Sequence, residues 1–211
     1  ALASQIFGLN PDPKVTMTLN GNSYSPQSPE HAISAGVFMC PKDRASNAVV
    51  SEFDISNNLA LPFFKSHSRF SFIRKKSLTQ NARNSINELG IVCQSEMDSV
   101  TTLSGGNQQK VMVGRWLAED SSVLLLDEPF QGVDIKARRD IGHQIRSTSR
   151  QRATIIFVAE LDEALEIADR VIVLHEGNLV GDYQNKSKNI PKIVSSFSGS
   201  ANNLDSANYG T

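Results

Sequence analysis

Two uninterrupted apolar runs limit the fold of this chain more than anything else in it: Val123-Leu124-Leu125-Leu126 and Thr154-Ile155-Ile156-Phe157-Val158. Neither alternates apolar with polar residues, so each predicts a strand buried on both faces, as in a parallel sheet. A helical pattern over roughly 135–150 lies between them, and another over roughly 161–168 follows the second. Strand, helix, strand, helix implies right-handed crossovers, helices on both faces of the sheet and an α/β fold. Val37-Phe38-Met39-Cys40, stopped by Pro41, predicts one more buried strand. Val171–Leu174 and Asn178–Tyr183, joined across Glu176-Gly177, predict a closing hairpin.

Elsewhere the pattern is more local. Residues 1–8 predict the end of a helix with Gly8 in the stop position. Val15–Leu19 predicts a strand running into the turn Asn20-Gly21-Asn22, and Ser28-Pro29-Glu30 a helix start with Gly36 as its end. From about 54 to 119 the pattern is helical and strands are not expected. Within it, 65–77 predicts an irregular connection, and Arg74-Lys75-Lys76 a solvated face. Beyond Lys186 the chain drifts into Ser, Asn and Gly, and Gly199–Thr211 predicts disorder. The 211 residues suit one domain of ordinary size, 39% apolar and 20% charged. A net charge of −1 offers no bulk field for nucleic acid or an anionic membrane. No apolar run approaches the roughly 18–20 residues that span a bilayer, and the opening residues do not read as a secretory signal. Two cysteines and four histidines, without metal-ligand spacing, suit a reducing compartment and predict no protein-built metal cluster.

Two segments carry chemistry. In Leu103-Ser104-Gly105-Gly106-Asn107-Gln108-Gln109-Lys110 two glycines allow close backbone approach, and a helix holding Met112, Val113, Trp116 and Leu117 follows. Its N-terminus would present free N–H groups and a partial positive charge to a phosphate, with the Ser104 hydroxyl beside them. The plainer reading of Ser-Gly-Gly alone is a helix cap after a turn. In Val123–Pro129 a buried strand ends in two carboxylates, which places both at the carboxyl edge of a parallel sheet, where such folds bind ligands. Asp127 there is suited to Mg²⁺, and Glu128 to accepting a proton from an attacking water. Alone, the pair could equally be an acidic helix cap.

Together the two segments are similar to a known series. LSGGNQQK, a helix, LLLDEP and then Gly132-Val133-Asp134 resemble the signature, Walker B and D-loop order of ATP-binding cassette (ABC) proteins. The likeness is to the second nucleotide-binding domain of tandem ATPases that drive bacterial sugar importers of the ribose, xylose and galactose type. Ala32-Ile33-Ser34-Ala35-Gly36 with Pro41-Lys42-Asp43-Arg44, the helix start Phe53–Leu59, and Ala168–Val173 with His175-Glu176-Gly177 resemble further segments of that group. The resemblance spans roughly residues 1–198 and implies a P-loop NTPase-like cassette over 1–185. That cassette would have a parallel-sheet core, a helical subdomain inserted at about 45–120, and an extension over 186–211. It implies binding of ATP with Mg²⁺ between two cassettes. Ser104, Gly105, Gly106 and Gln108 would contact nucleotide held by the partner cassette, and Asp134 would lie at the interface. Asp127 and Glu128 would serve the chain's own nucleotide as metal ligand and catalytic base, with Lys42 close by. The partners implied are a second cassette, membrane permease subunits and, indirectly, a periplasmic sugar-binding protein. The setting implied is the cytoplasmic face of a bacterial inner membrane, with no nucleic acid involved.

Three departures qualify the expectation. No GxxxxGK[ST] or GxxGAGRT segment occurs, so the phosphate-cradling loop is expected upstream of Ala1. Lys42 stands where cassettes of this type usually carry Gln or Glu; a cation there could repel Mg²⁺ or pair with phosphate. Ala159 stands where a switch histidine is usual, which points to a second possibility, a partner cassette that does not hydrolyse ATP. Phe130 after the Pro is expected to pack rather than stack. Cassettes of chromosome maintenance carry long coiled coils, and no sustained heptads occur here.

Overall fold

The computed structural model describes residues 2–42, 49–64, 68–69, 72–73 and 75–207, with side chains excepted at 68–69, 72–73 and 200–207. Asp43 and Arg44 of the Pro41–Arg44 segment lie outside the described residues, as do His67 and Arg74. Two compact units follow one another, Ala1–Phe157 and Val158–Thr211.

The first unit begins with helix α1 (Leu2–Ile6). Gly8, at φ +74°, ends it: Leu9 N–H donates to Ser4 O at 2.9 Å and Gly8 N–H to Gln5 O at 3.1 Å. This closing pattern needs a left-handed residue. A side chain at Gly8 would also meet the Ser28 carbonyl at 2.9 Å, so glycine is required twice over. Strands β1 (Met17–Leu19) and β2 (Asn22–Tyr24) form a hairpin over Asn20 and Gly21, both at positive φ, the two-residue turn that matches strand twist. Helix α2 (Pro29–Ser34) has Ser28 as N-cap and Pro29 in its first turn, as expected.

Strands β3 (Val37–Cys40), β6 (Val123–Asp127) and β7 (Ala153–Phe157) make a parallel sheet in the order β3-β6-β7. Val37 is paired with Val123, Cys40 with Leu126 and Asp127 with Phe157. β3 is buried throughout and β6 in its middle three residues. β7 departs from the expectation of continuous burial, since Ile155 is 40% exposed. Among the described residues β7 is an edge strand, and an apolar run reveals strand character without revealing whether both sides are covered.

Between β3 and β6 lie helices α3 (Ile55–Ala60), α4 (Lys75–Leu89) and α5 (Gly105–Leu117). Their common core is Ile55, Leu59, Ala82, Leu89, Ile91, Val100, Leu103 and Val111. Two short strands, β4 (Ser68–Arg69) and β5 (Phe72–Ile73), pair antiparallel here, where none was expected. Two residues per strand are too few for an alternation to register in sequence. Lys75 and Lys76, expected in an irregular connection, instead open α4 on its exposed side. Phe7, Phe38, Phe63 and Trp116 join α1, β3, the turn after α3, and α5, with ring centroids 4.9–6.2 Å apart. Each such pair contributes about 0.5–1.5 kcal/mol beyond its burial. Helix α6 (Ile135–Ser147) crosses from β6 towards β7 and buries Ala137, Ile141 and Ile145.

The second unit contains α7 (Leu161–Ile167), the hairpin of β8 (Arg170–His175) and β9 (Asn178–Gln184), and α8 (Ile190–Ala207). Glu176 and Gly177, both at positive φ, make the hairpin turn where it was expected. Val171, Val173 and Ile193 form its core, and Arg170 pairs with Asp182 across the strands. α8 runs to Ala207, into the stretch whose composition pointed to disorder. Ile190, Ile193, Val194 and Phe197 recur at helical spacing, and that amphipathic first half nucleates a helix that then propagates.

Candidate functional site

The site starts at the carboxyl edge of the sheet. β6 delivers Asp127 there, and β3 leaves at Pro41-Lys42 along the same edge, with Lys42 exposed. Glu128 follows at φ +51°, a left-handed conformation that costs a residue with a Cβ. Two hydrogen bonds hold it there: Glu128 N–H donates to Phe157 O at 2.9 Å, and Gln131 N–H donates to Glu128 O at 3.1 Å. Both carboxylates are half-buried, and among the described residues neither has a hydrogen-bond or ion-pair partner. Acceptor oxygens without protein donors suit a hydrated divalent cation, since Mg²⁺ keeps several waters and takes one or two carboxylates. Among the described residues no group of three or more His, Cys, Asp or Glu could hold a metal, so the remaining ligands of such an ion would be waters and phosphate oxygens.

The second part of the site is the start of α5. Ser104 is its N-cap, exposed, with Oγ accepting from Asn107 Nδ2 at 3.0 Å and from Asn107 N at 3.4 Å. Both bonds use the oxygen as acceptor, so the hydroxyl proton remains available to a ligand. Gln108 turns back on the loop, donating to Leu103 O at 3.1 Å. Gly106 is packed close: a Cβ there would stand 3.2 Å from Ala137 Cβ and 4.0 Å from Asp134 Oδ2. Asp134 caps α6, accepting from Ala137 N at 2.8 Å, so the starts of α5 and α6 abut. Thus Gly106 and Asp134 come together and Asp127 adjoins Glu128. Phe130 is buried, as expected of a packing residue. Ala159 is exposed in the connection after β7.

Several residues that hold this arrangement were not singled out from sequence. Gln109, 2% exposed, donates from Nε2 to Pro129 O at 2.8 Å. Lys110, 4% exposed, ties α5 to Asp140 of α6 at 2.7 Å and to Gly90 O at 2.9 Å. Arg115 donates to Asn58 O at 2.6 Å and to Asn58 Oδ1 at 3.2 Å. Asn58, fully buried, also donates to the carbonyls of Val50, Phe53 and Asp54. Burial pushes the Arg115 guanidinium down to about 10, which leaves it cationic at neutral pH. Burial pushes the Cys40 thiol up to about 12, with Arg115 opposing and Asp127 adding to the rise. A polar residue inside an apolar helical pattern was the available signal for Asn58 and Arg115; their partners were not readable.

The chain belongs to the ABC transporter family, whose model matches residues 1–131. Among curated proteins it is similar to a ribose import ATP-binding protein of Rubrobacter xylanophilus, 33% identical over 199 residues, 94% of this chain and 38% of that protein. A xylose import ATP-binding protein of Thermoanaerobacter pseudethanolicus is 34% identical over 195 residues, 92% of this chain and 39% of its own length. The chain therefore spans under two fifths of these relatives. Among solved structures, a nucleotide-free ATP-binding cassette of an ABC transporter superimposes with a TM-score of 0.75 at 18% identity, over 92% of this chain and 78% of that one. A dimeric cassette in a post-hydrolysis state with ADP and Pi gives 0.71 at 15% identity, over 88% and 80%. At such identities these structures speak for the fold, which is that of an ABC cassette.

Proposed function

We propose that this chain is the signature and Walker B part of an ATP-hydrolysing cassette that energises a bacterial sugar importer. The observation that carries the reading is the pair of carboxylates, Asp127 and Glu128, at the carboxyl edge of a parallel sheet, without a partner among the described residues and followed by Pro129, whose carbonyl Gln109 of α5 holds. In this reading the protein works with a second cassette and with membrane permease subunits, served by a periplasmic sugar-binding protein, at the cytoplasmic face of the inner membrane. The curated relatives named for ribose and xylose import support a pentose-type cargo.

The chemistry follows from the residues. Asp127 would hold Mg²⁺, which would supply charge neutralisation at the phosphates of ATP. Glu128 accepts a proton from the water that attacks the terminal phosphorus, in the role of general base. Its left-handed backbone follows the last residue of the strand at the sheet edge. Ser104 donates its hydroxyl to the terminal phosphate of nucleotide held mainly by the partner cassette, with the first-turn amides at Gly105 and Gly106 lending their dipole. Gln108 holds the Leu103 carbonyl, keeping the loop open for that approach. Asp134 fixes the segment that meets the partner, and Lys42 stands at the same sheet edge as a cation for phosphate.

A second reading, a partner cassette that lends Ser104 without hydrolysing its own ATP, is favoured by the exposed Lys42 and Ala159 in place of the usual side chains. One experiment separates the two. In the complete protein with its permease, Glu128→Gln should leave ATP binding intact and lower hydrolysis roughly 10²–10⁴-fold, the span of general-base catalysis. Hydrolysis at the unaltered rate in that variant would favour the non-hydrolysing reading.

A further inference from the structure

We propose that Gln109 is a positioning residue that couples the signature segment to the catalytic turn, so that a phosphate closing on Ser104 is felt at Glu128. The proposal rests on the functional reading above. Gln109 sits five residues beyond Ser104 on the same helix, a separation that a rigid α-helix transmits without slack. Its carboxamide is buried and bonds the carbonyl of Pro129, the residue that follows Glu128. Pro129 is itself buried, and its carbonyl would otherwise face the interior. The turn is therefore held from two sides. β7 holds it through the Glu128 amide at 2.9 Å, and α5 holds it through the Pro129 carbonyl at 2.8 Å.

Neighbouring contacts make α5 stiff in the direction that matters. Gly106 lies against Ala137, and Lys110 pairs with Asp140, so α5 and α6 move as a braced pair. A displacement of the α5 start then reaches the peptide beside Glu128 through one hydrogen bond. With Ser104 and Glu128 serving different nucleotides, that bond links the two sites, and its loss should appear as lost cooperativity. Among the described residues the adjacent Gln108 side chain makes a local bond to Leu103, so the two glutamines divide loop shaping from cross-linking.

The test uses the complete protein and measures ATPase rate against MgATP concentration for the unaltered chain, Gln109→Leu and Gln109→Glu. Leucine has similar bulk and no donor; glutamate donates only when protonated. Gln109→Leu should lower kcat about tenfold, the size of one hydrogen bond felt at the transition state. KM should stay within about twofold, and the Hill coefficient should fall towards one. Burial at this position and the facing carbonyl should raise an introduced carboxyl well above its ordinary range, so Gln109→Glu should lie closer to the unaltered protein near pH 6 than near pH 8.5, where it approaches Gln109→Leu. Gln109→Leu with unchanged kcat and Hill coefficient overturns the proposal. So does a Gln109→Glu protein that is no better at pH 6 than at 8.5 while both variants lose melting temperature, since the bond would then be merely structural. An unaltered protein that hydrolyses no ATP instead sinks the functional reading itself; an active one with an unaffected Gln109→Leu sinks only the coupling.

Discussion

In the proposed function, Glu128 sets stability against chemistry in one residue. A side chain with a Cβ at φ +51° costs about 1–2 kcal/mol relative to a relaxed conformation. Glycine removes that strain but loses about 0.5–1 kcal/mol through the freer unfolded chain. Glu128→Gly should therefore leave stability unchanged or raise it by up to about 1.5 kcal/mol, while removing the proposed general base and with it most hydrolysis. Chemical denaturation measures the first and an ATPase assay the second; a loss of 2 kcal/mol or more in the melt would show that the carboxylate stabilises the turn. The residue is held in this conformation by backbone bonds to Phe157 and Gln131, which a glycine would keep.

Among the elements, α3 and α5 are joined by a polar knot inside an apolar shell. Asn58 receives the Arg115 guanidinium and at the same time satisfies three backbone carbonyls and the Val50 amide. Its removal would leave the Arg115 Nη2 donor and several part-buried backbone groups short of partners, while the Arg115 Nε bond to the Asn58 backbone carbonyl would remain. Asn58→Ala should cost about 2–3 kcal/mol, the scale of leaving polar groups without hydrogen-bond partners. A loss below 1 kcal/mol on urea denaturation would mean that water enters and replaces the amide. The neighbouring Gly114 permits this crossing, because a Cβ there would stand 2.6 Å from Leu89 Cδ1 and 3.3 Å from Leu59 Cδ2.

For the molecule as a whole, the buried thiol at the end of β3 sets an alkaline limit. Cys40 titrates near 12 when folded, against about 8.5 in an unfolded chain. Its contribution is fully present below the unfolded value and is lost progressively as pH rises towards 12, because only the unfolded chain releases that proton. Arg115 acts in the opposite sense, but only above its folded value of about 10. Between pH 8.5 and 10 the unaltered chain should therefore lose more stability than Cys40→Ala, by up to about 1.4 kcal/mol per pH unit. Parallel pH dependences of the two proteins over that window would rule out the linkage.

The sequence by itself determined what depends on neighbours a few residues away. The Gly8 helix stop, the Ser28, Asp54, Ser104 and Asp134 caps, the Asn20-Gly21 and Glu176-Gly177 turns and the apolar runs of the sheet all follow from local conformational preference. The order of the signature and DEP segments was legible in the same way. Only the tertiary structure decided which polar side chains cross between elements. Gln109 meets Pro129 across 20 residues, Lys110 meets Asp140 across 30, and Arg115 meets Asn58 across 57. It also decided that Glu128 is strained. A buried hydrogen bond is made worthwhile by the absence of water around it, and that absence is created by distant parts of the chain packing together.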